Sequence, residues 1–112
     1  MDWLVSGTAA QDEFAADPQN RRYKDLLTHG TMRVGLYALR EHDPQQPHTQ
    51  DEIYIVASGS GEFVNDGERK PFSPGDIIFV KAGVEHRFEA FTDDFQTWVV
   101  FWGPEGGETD NS

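Results

Sequence analysis

Short β-type segments separated by turn-forming residues run through most of this 112-residue chain. From residue 29 onward, stretches rich in Val, Ile, Phe, Tyr and Trp recur at a spacing of about 8–12 residues, and Gly, Pro and Asp lie between them. This spacing favours an all-β barrel or sandwich over any helical fold. Asp66-Gly67 is the strongest of the turn signals, because Asp-Gly is typical of tight hairpins.

The start of the chain has a different pattern. Residues 8–16 carry alanines that favour a helix, with Phe14 as an apolar anchor. We expect a short helix here with Thr8 as its N-cap, because Ser, Thr, Asn and Asp are preferred at that position. Pro18 and Asn20 are expected to end the helix.

These patterns divide the chain into three parts. Residues 1–28 form a lead-in, within which residues 22–27 fit either a strand or a helical turn. Residues 29–104 form the β barrel. Residues 105–112 are acidic and rich in glycine, and we expect this tail to fray. At this length the chain holds one domain.

Charge and composition limit the partners of the protein. The chain has 20 acidic and 9 basic residues, so its net charge is −11. Phosphate backbones and anionic lipids need a basic patch, so we expect neither nucleic acid nor membrane as a partner. Neither a signal peptide nor an apolar run of the ~20 residues needed to cross a membrane is visible, so we expect a cytoplasmic protein. Apolar outer strand faces and the frequency of symmetric dimers favour a homodimer.

Two imidazoles, a carboxylate and an amide occur at a spacing that could close around one metal ion. Gln46 and His48 lie two residues apart, which puts them on one face of an extended segment with Cα atoms ~6.6 Å apart. Glu52 lies four residues after His48, so it is on the same face if the segment stays extended, and His86 comes from a separate strand. Two histidines and one carboxylate are a donor set that leaves metal positions open for chemistry. The sequence has no cysteine, so thiolate ligands are excluded.

Each of these residues also has a simpler explanation. His48 follows Pro47 and could be a loop histidine, while Glu52 at a strand start could be exposed to solvent. His86 could be a hydrogen-bonded residue at the barrel rim. An amide is a weak metal donor, so Gln46 could serve only in hydrogen bonding. Their joint spacing is what favours a metal site.

The first of the two stretches resembles the first motif of the cupin superfamily. That motif has two histidines separated by one residue, then Glu after three or four more, and then Gly after a further six. Gln46, His48, Glu52 and Gly59 occupy these places. The first metal histidine of the motif is thus replaced by glutamine.

The second stretch resembles the second cupin motif, in which Gly, Pro, Gly and His occur at fixed intervals. Gly75, Lys81, Gly83 and His86 occupy these places, with lysine replacing the proline. The resemblance covers roughly residues 30–101. It implies a double-stranded β-helix, the jelly-roll barrel, with a divalent metal on His48, Glu52 and His86.

The resemblance also implies a range of functions. Gln46 would be a weak fourth ligand, and Fe2+ or Mn2+ would be favoured, with Zn2+ or Ni2+ possible. The protein would act on a small oxygenated organic molecule, as a mononuclear dioxygenase-type enzyme or a related lyase or isomerase. Glu52 and the inward-facing Tyr54 are the candidate catalytic residues. The alternative is a non-catalytic, metal-dependent protein that binds or senses a small molecule. A metal-free sugar-modifying cupin is disfavoured by the intact His48, Glu52 and His86.

Overall fold

The computed structural model describes residues 3–16, 23–40, 43 and 45–109. Within these residues the chain forms one short helix followed by eight strands. The elements are α1 (Gly7–Ala15), β1 (Tyr23–His29), β2 (Met32–Tyr37), β3 (Asp51–Ser58), β4 (Gly61–Asn65), β5 (Glu68–Phe72), β6 (Ile77–Val80), β7 (His86–Glu89) and β8 (Gln96–Trp102).

The strands form two antiparallel sheets that enclose one core. The larger sheet has the order β1-β2-β8-β3-β6, and the smaller has the order β5-β4-β7. Buried side chains from both sheets meet in a single cluster, including Tyr54 and Val99 from the first and Phe63 and Phe88 from the second. The all-β jelly-roll barrel expected from the sequence is confirmed. Asp66 and Gly67 both have positive φ, as the tight β4–β5 hairpin requires.

The pairing register of β3 determines which of its side chains face the core. Glu52 pairs with Val80 of β6 on one side and Phe101 of β8 on the other. Directly opposed residues share a face of the sheet, so these three side chains form one inward row. Tyr54 is two residues further along and is fully buried. The predicted inward placement of Glu52 and Tyr54 is therefore confirmed.

Phe88 is the centre of an aromatic core that fixes β7 against the larger sheet. Its ring centroid lies 4.7 Å from those of Phe63 and Phe95, 4.9 Å from that of Tyr54 and 5.4 Å from that of Phe72. Close aromatic pairs of this kind add to the stability gained from buried area. Because His86 lies two residues before Phe88 on the same strand, this packing also directs His86 inward.

The lead-in differs from the sequence expectation in two respects. The N-cap of α1 is Ser6, whose hydroxyl accepts a hydrogen bond from the Ala9 amide at 3.2 Å; the prediction of Thr8 was wrong by two residues. Tyr23–His29 is strand β1 and pairs with β2, so the ambiguous segment contributes to the larger sheet. Pro18 and Asn20, the predicted helix stop, lie outside the described residues. No helix among the described residues is long and apolar enough to cross a membrane.

The acidic tail is held against the barrel over residues 105–109, which contradicts the expectation that it frays. The Gly106 amide donates to the Thr49 carbonyl at 2.6 Å, and the Glu108 amide donates to Asp51 Oδ2 at 2.8 Å. Asp51 is buried, and its other oxygen accepts the Ala82 amide at 2.9 Å. The carboxylate thus ties the tail to the strand that carries Glu52. Residues 110–112 lie outside the described part of the chain.

The outer face of the larger sheet keeps some apolar surface exposed. Ile77 is 69% exposed and Phe79 is 53% exposed, both on edge strand β6. Trp98 and Trp102 are half-buried on the same outer face, because Thr97, Val99 and Phe101 are the inward residues of β8. The homodimer expected from the sequence remains a prediction, and this face is where it would bury apolar area.

Gly59 occupies a position that no other residue can fill without moving the backbone. Its φ is +82°, and an added Cβ would lie 2.5 Å from Phe95 Cα and 2.8 Å from Phe95 N. Gly75 has a similar φ of +90° but no heavy atom within 4 Å of an added Cβ. We therefore expect Gly59→Ala to lower the free energy of unfolding by about 3 kcal/mol, and Gly75→Ala by only about 1 kcal/mol. Urea unfolding of both variants tests this difference; equal losses would show that φ strain alone matters.

Candidate metal centre

Three side chains from three parts of the chain converge inside one end of the barrel. His48 comes from the loop before β3, Glu52 from β3 and His86 from the start of β7. Each offers one ligand atom, and these atoms all lie within 4.8 Å of one another. Glu52 Oε1 is 3.0 Å from His86 Nε2 and 3.9 Å from His48 Nε2. The structure thus brings together the three residues that the spacing selected.

The burial of this cluster leaves polar atoms without partners. Glu52 is 0% and His86 is 3% exposed. Neither carboxylate oxygen of Glu52 nor Nε2 of His86 has a hydrogen bond of acceptable geometry to any described residue, in spite of the 3.0 Å approach. Burying such groups unpaired costs several kcal/mol, so a fold that does so needs a compensating partner. A cation held between them would satisfy all three atoms.

The distances fit a single ion. Metal–nitrogen bonds are about 2.0–2.1 Å, so two donors at right angles on one metal are about 3.0 Å apart, and two opposite donors about 4.2 Å. The 3.0 Å and 3.9 Å separations from Glu52 Oε1 fall within this range. Histidine and carboxylate donors suit several first-row divalent metals. The residues present therefore fit a divalent metal, and they do not select one.

The hydrogen bond of His86 turns its free nitrogen toward Glu52. Nδ1 lies 2.9 Å from the Val84 carbonyl, which can only accept, so Nδ1 carries a proton and, in the neutral ring, Nε2 has the lone pair. Burial acts to lower the pKa of His86, but the neighbouring Glu52 carboxylate and the Val84 carbonyl outweigh it and raise that pKa. Burial lowers the pKa of His48, only partly opposed by Glu52. His48 is therefore readily available as the neutral imidazole that metals require.

Gln46 does not lie in this cluster. Its side chain is exposed, whereas the preceding Gln45 is half-buried, with Oε1 3.1 Å from His48 Nε2. The predicted placement of Gln46 assumed an extended segment through residue 52. Strand β3 begins only at Asp51, so strand alternation does not hold in the loop before it. The structure corrects the amide beside the histidines from residue 46 to residue 45.

Tyr54 borders the cluster and is joined to it through Gln45. Its hydroxyl donates to Gln45 Oε1 at 2.8 Å, and its ring centroid lies 6.2 Å from that of His86. Burial raises the pKa of Tyr54 well above its ordinary value, and the Glu52 carboxylate acts in the same direction. The hydroxyl therefore stays protonated at neutral pH. Its role as a proton source remains a prediction.

Comparison with known proteins identifies the family. The family model for the cupin domain matches residues 35–102, more than half of the chain. The chain belongs to the cupin family. This match covers β3 to β8 and therefore all three residues of the cluster.

Related proteins and structures are consistent with this membership. An uncharacterized protein of Streptomyces coelicolor is 40% identical over 85 residues, covering 74% of this cupin and 81% of the relative. The acireductone dioxygenase of Bacillus subtilis is 32% identical over 87 residues, covering 73% of this cupin but only 42% of that enzyme. A cupin 2 conserved barrel domain protein from Salinispora arenicola is 26% identical, with a TM-score of 0.65 over 92% of this cupin and 89% of that chain. The cupin thus spans less than half the length of the dioxygenase.

Asp43 anchors the loop that carries His48, a role that no sequence pattern indicates. Its Oδ2 accepts hydrogen bonds from the Phe88 amide and from Gln45 Nε2, both at 2.8 Å, and its Oδ1 accepts from the Gln45 amide at 3.0 Å. Before the fold is known, the Asp43-Pro44 pair indicates only a turn. The bond to Phe88 spans 45 residues and joins the loop directly to the strand of His86.

Arg33 carries a positive charge on the inner face near the cluster. In the strand register, Arg33 lies opposite Phe101 and Phe101 lies opposite Glu52, so the three residues form one row across β2, β8 and β3. The guanidinium carbon lies 4.5 Å from the centroid of the Phe101 ring, and Nη2 donates to Gln50 Oε1 at 3.3 Å. Among the described residues, Arg33 has no carboxylate within ion-pair distance. A ligand that reaches the cluster from this side would meet an unneutralised cation.

A cavity of about 380 Å³ opens elsewhere, on the side where β5 and β6 approach one another. Its lining includes Lys70, Asp76 and Phe79 but no member of the His48, Glu52 and His86 cluster. A cavity of this volume could hold a small ligand. The convergent unpartnered donors lie elsewhere, so we place the functional site at the cluster.

Proposed function

We propose that this cupin binds one divalent transition metal ion through His48, Glu52 and His86, and uses it to bind and transform a small oxygenated organic molecule. The reaction class that fits best is that of a dioxygenase, with related lyase and isomerase reactions as close alternatives. Fe2+ and Mn2+ are the favoured metals, and Zn2+ and Ni2+ fit the same donors. The observation that supports this proposal most strongly is the fully buried Glu52 carboxylate, which lies 3.0 Å from His86 Nε2 and has no hydrogen bond of acceptable geometry to any described residue.

Each part of the proposal has its own support. A metal held by two histidines and one carboxylate supplies Lewis acidity and open positions for a ligand. The 32% identity to an acireductone dioxygenase supports dioxygenase chemistry within this class. The ring of Phe101, 5.1 Å from that of His48, gives the site an apolar wall that would exclude water from a bound ligand.

Arg33 supports an anionic ligand within this class. Its guanidinium lies on the same inward row as Glu52 and has no carboxylate partner among the residues described. A carboxylate or enolate oxygen on a ligand would neutralise it, since guanidinium groups match planar oxyanions well. Packing on Phe101 would hold the guanidinium in place for this contact.

A non-catalytic binding role is the second candidate, and one observation favours it. The Tyr54 hydroxyl, the acid expected beside Glu52, is engaged with Gln45 Oε1 at 2.8 Å and is held protonated by its raised pKa. A binding or sensing protein would use the same metal and the same Arg33 without needing to move a proton.

Metal analysis followed by oxygen uptake tests the proposal. For protein purified without chelators, we expect about one divalent ion per chain, and measurable oxygen consumption by the Fe2+-loaded protein with some member of a panel of catechols, diketones and thiols. Metal-free protein is the control. Saturable calorimetric binding of a panel member without oxygen uptake or product would favour the non-catalytic role. Protein that retains no divalent ion after reconstitution would contradict both roles.

A further inference from the structure

We propose that Gln45 is a fourth metal ligand of this site, coordinating through its side-chain oxygen, and that Gln46 takes no part. This inference rests on the metal site proposed above. It assigns the amide donor to a residue outside the motif positions that the sequence resemblance selects.

The first support is distance. Gln45 Oε1 lies 3.1 Å from His48 Nε2, nearly the same as the 3.0 Å between Glu52 Oε1 and His86 Nε2. Both values match the ~3.0 Å expected for two neighbouring donors at right angles on one ion with bonds of about 2.1 Å. The two pairs are linked through His48 Nε2 and Glu52 Oε1, which are 3.9 Å apart. These three spacings are compatible with one coordination sphere that includes Gln45 Oε1.

The second support is the orientation of the amide. Gln45 Nε2 donates to Asp43 Oδ2 at 2.8 Å, and because a carboxylate only accepts, this bond identifies which end of the amide is nitrogen. The oxygen is therefore the atom that faces His48. The Tyr54 hydroxyl donates to that oxygen at 2.8 Å and occupies one of its two lone pairs. The other lone pair faces His48 Nε2 at 3.1 Å, and a cation bound between the two atoms would take the place of that contact.

The third support concerns whether His48 Nε2 carries a proton. Without a cation, the 3.1 Å contact requires a proton on Nε2 for donation to the amide oxygen. Metal coordination through Nε2 requires that nitrogen to be deprotonated, which would leave its lone pair facing the lone pair of the amide oxygen. A cation bound to both atoms removes that conflict. Asp43 and Tyr54, which hold the amide from either end, would then act as positioning residues.

This ligand would change which metals the site prefers. A neutral amide oxygen is a harder donor than the imidazole that the motif places nearby, and oxygen donors suit Mn2+ better than softer ions. With two histidines, one carboxylate and one amide, the site would discriminate less against Mn2+ and Fe2+ relative to Zn2+ than three histidines and one carboxylate would.

Two adjacent glutamines make a matched experiment. We would compare Gln45→Ala, Gln45→Leu and Gln46→Ala with the wild-type chain by calorimetric titration with Mn2+ and by visible absorption of the Co2+-loaded proteins. We expect Gln46→Ala to behave as wild type. Both Gln45 variants should bind Mn2+ at least about tenfold more weakly and should show altered Co2+ bands, because the coordination sphere has lost an oxygen. Circular dichroism of the metal-free proteins checks folding, and Gln45→Leu preserves side-chain bulk if Gln45→Ala is destabilised.

The outcomes separate this inference from the proposed function. Wild-type Mn2+ affinity and unchanged Co2+ bands in the Gln45 variants would overturn the ligand assignment and leave the three-residue site intact. Weaker binding with unchanged bands would also overturn it, since that is the signature of a residue that only positions His48. A wild-type chain that binds neither ion would overturn the metal site itself, and the Gln45 assignment with it.

Discussion

Glu52→Ala and His86→Ala are each expected to remove most of the metal bound by this cupin, weakening its affinity by at least about 100-fold. Glu52 is the only one of the three clustered side chains that brings a negative charge, and its oxygen lies closest to His86 Nε2. Because both residues are almost completely buried, water cannot replace the lost donor without entering the core. Metal-to-protein ratios by plasma mass spectrometry after dialysis against a divalent metal buffer measure the loss.

The controls for these variants are residues of the same type on the surface. His29 is exposed in β1, and the Glu85 side chain is 81% exposed next to the site strand. His29→Ala and Glu85→Ala should retain wild-type metal content. Full metal occupancy in both Glu52→Ala and His86→Ala would disprove the site.

Thermal unfolding gives a second readout of the same prediction. A ligand present at 100 times its Kd stabilises the native state by about 2.7 kcal/mol. For a domain of this length, that corresponds to a rise in Tm of roughly 10 °C. The wild type should show such a rise on metal addition, and the two variants should show little. A metal-independent Tm in the wild type would contradict the proposal regardless of the metal content measured.

Glu52 and His86 could be predicted from the sequence because each lies in a regular strand. Glu52 and Tyr54 follow simple alternation along β3, and the predicted face is the buried one. His86 begins β7, with Phe88 sharing its inward direction. In an extended backbone, residues two apart point to the same face of the sheet, so sequence spacing alone predicts the direction of each side chain.

The same reasoning failed where the backbone is irregular. Gln46 and His48 lie in a loop, so their two-residue spacing does not put them on one face, and Gln45 takes the inward position instead. The composition of the acidic tail predicts that it frays, yet the buried Asp51 carboxylate accepts a hydrogen bond from the Glu108 amide. Such contacts join residues far apart in the chain, and they cannot be predicted from short-range sequence patterns.

The sequence also establishes more about the site than about the reaction. Cupin barrels share a fold, and a fold by itself does not determine a reaction. The features that would select a ligand are Arg33 on Phe101 and the Tyr54–Gln45 pair, and all of them lie outside the spacing of the two motifs. Function must therefore be read from these side chains rather than from the motif.

Asp43→Ala is expected to weaken both the fold and the metal site. The substitution removes three hydrogen bonds at once, including the one accepted from the Phe88 amide at the edge of the aromatic core. Leaving that amide unpaired together with the loss of the two loop bonds should lower the free energy of unfolding by about 3 kcal/mol. That is a large share of the roughly 5–15 kcal/mol that stabilises a typical domain. Metal affinity should fall about 10–100-fold, because the loop that carries His48 loses its attachment to β7.

Asp43→Asn separates the hydrogen bonds of this side chain from its negative charge. Its single amide oxygen can take the place of Oδ2, which accepts both the Phe88 amide and Gln45 Nε2. Only the bond from the Gln45 amide to Oδ1 is then lost. We expect Asp43→Asn to keep most of the stability in urea unfolding and to bind Mn2+ within about threefold of wild type. If Asp43→Asn loses as much affinity as Asp43→Ala, then the negative charge of Asp43 matters more than its hydrogen bonds, and the carboxylate acts on the metal electrostatically rather than as an anchor of the loop.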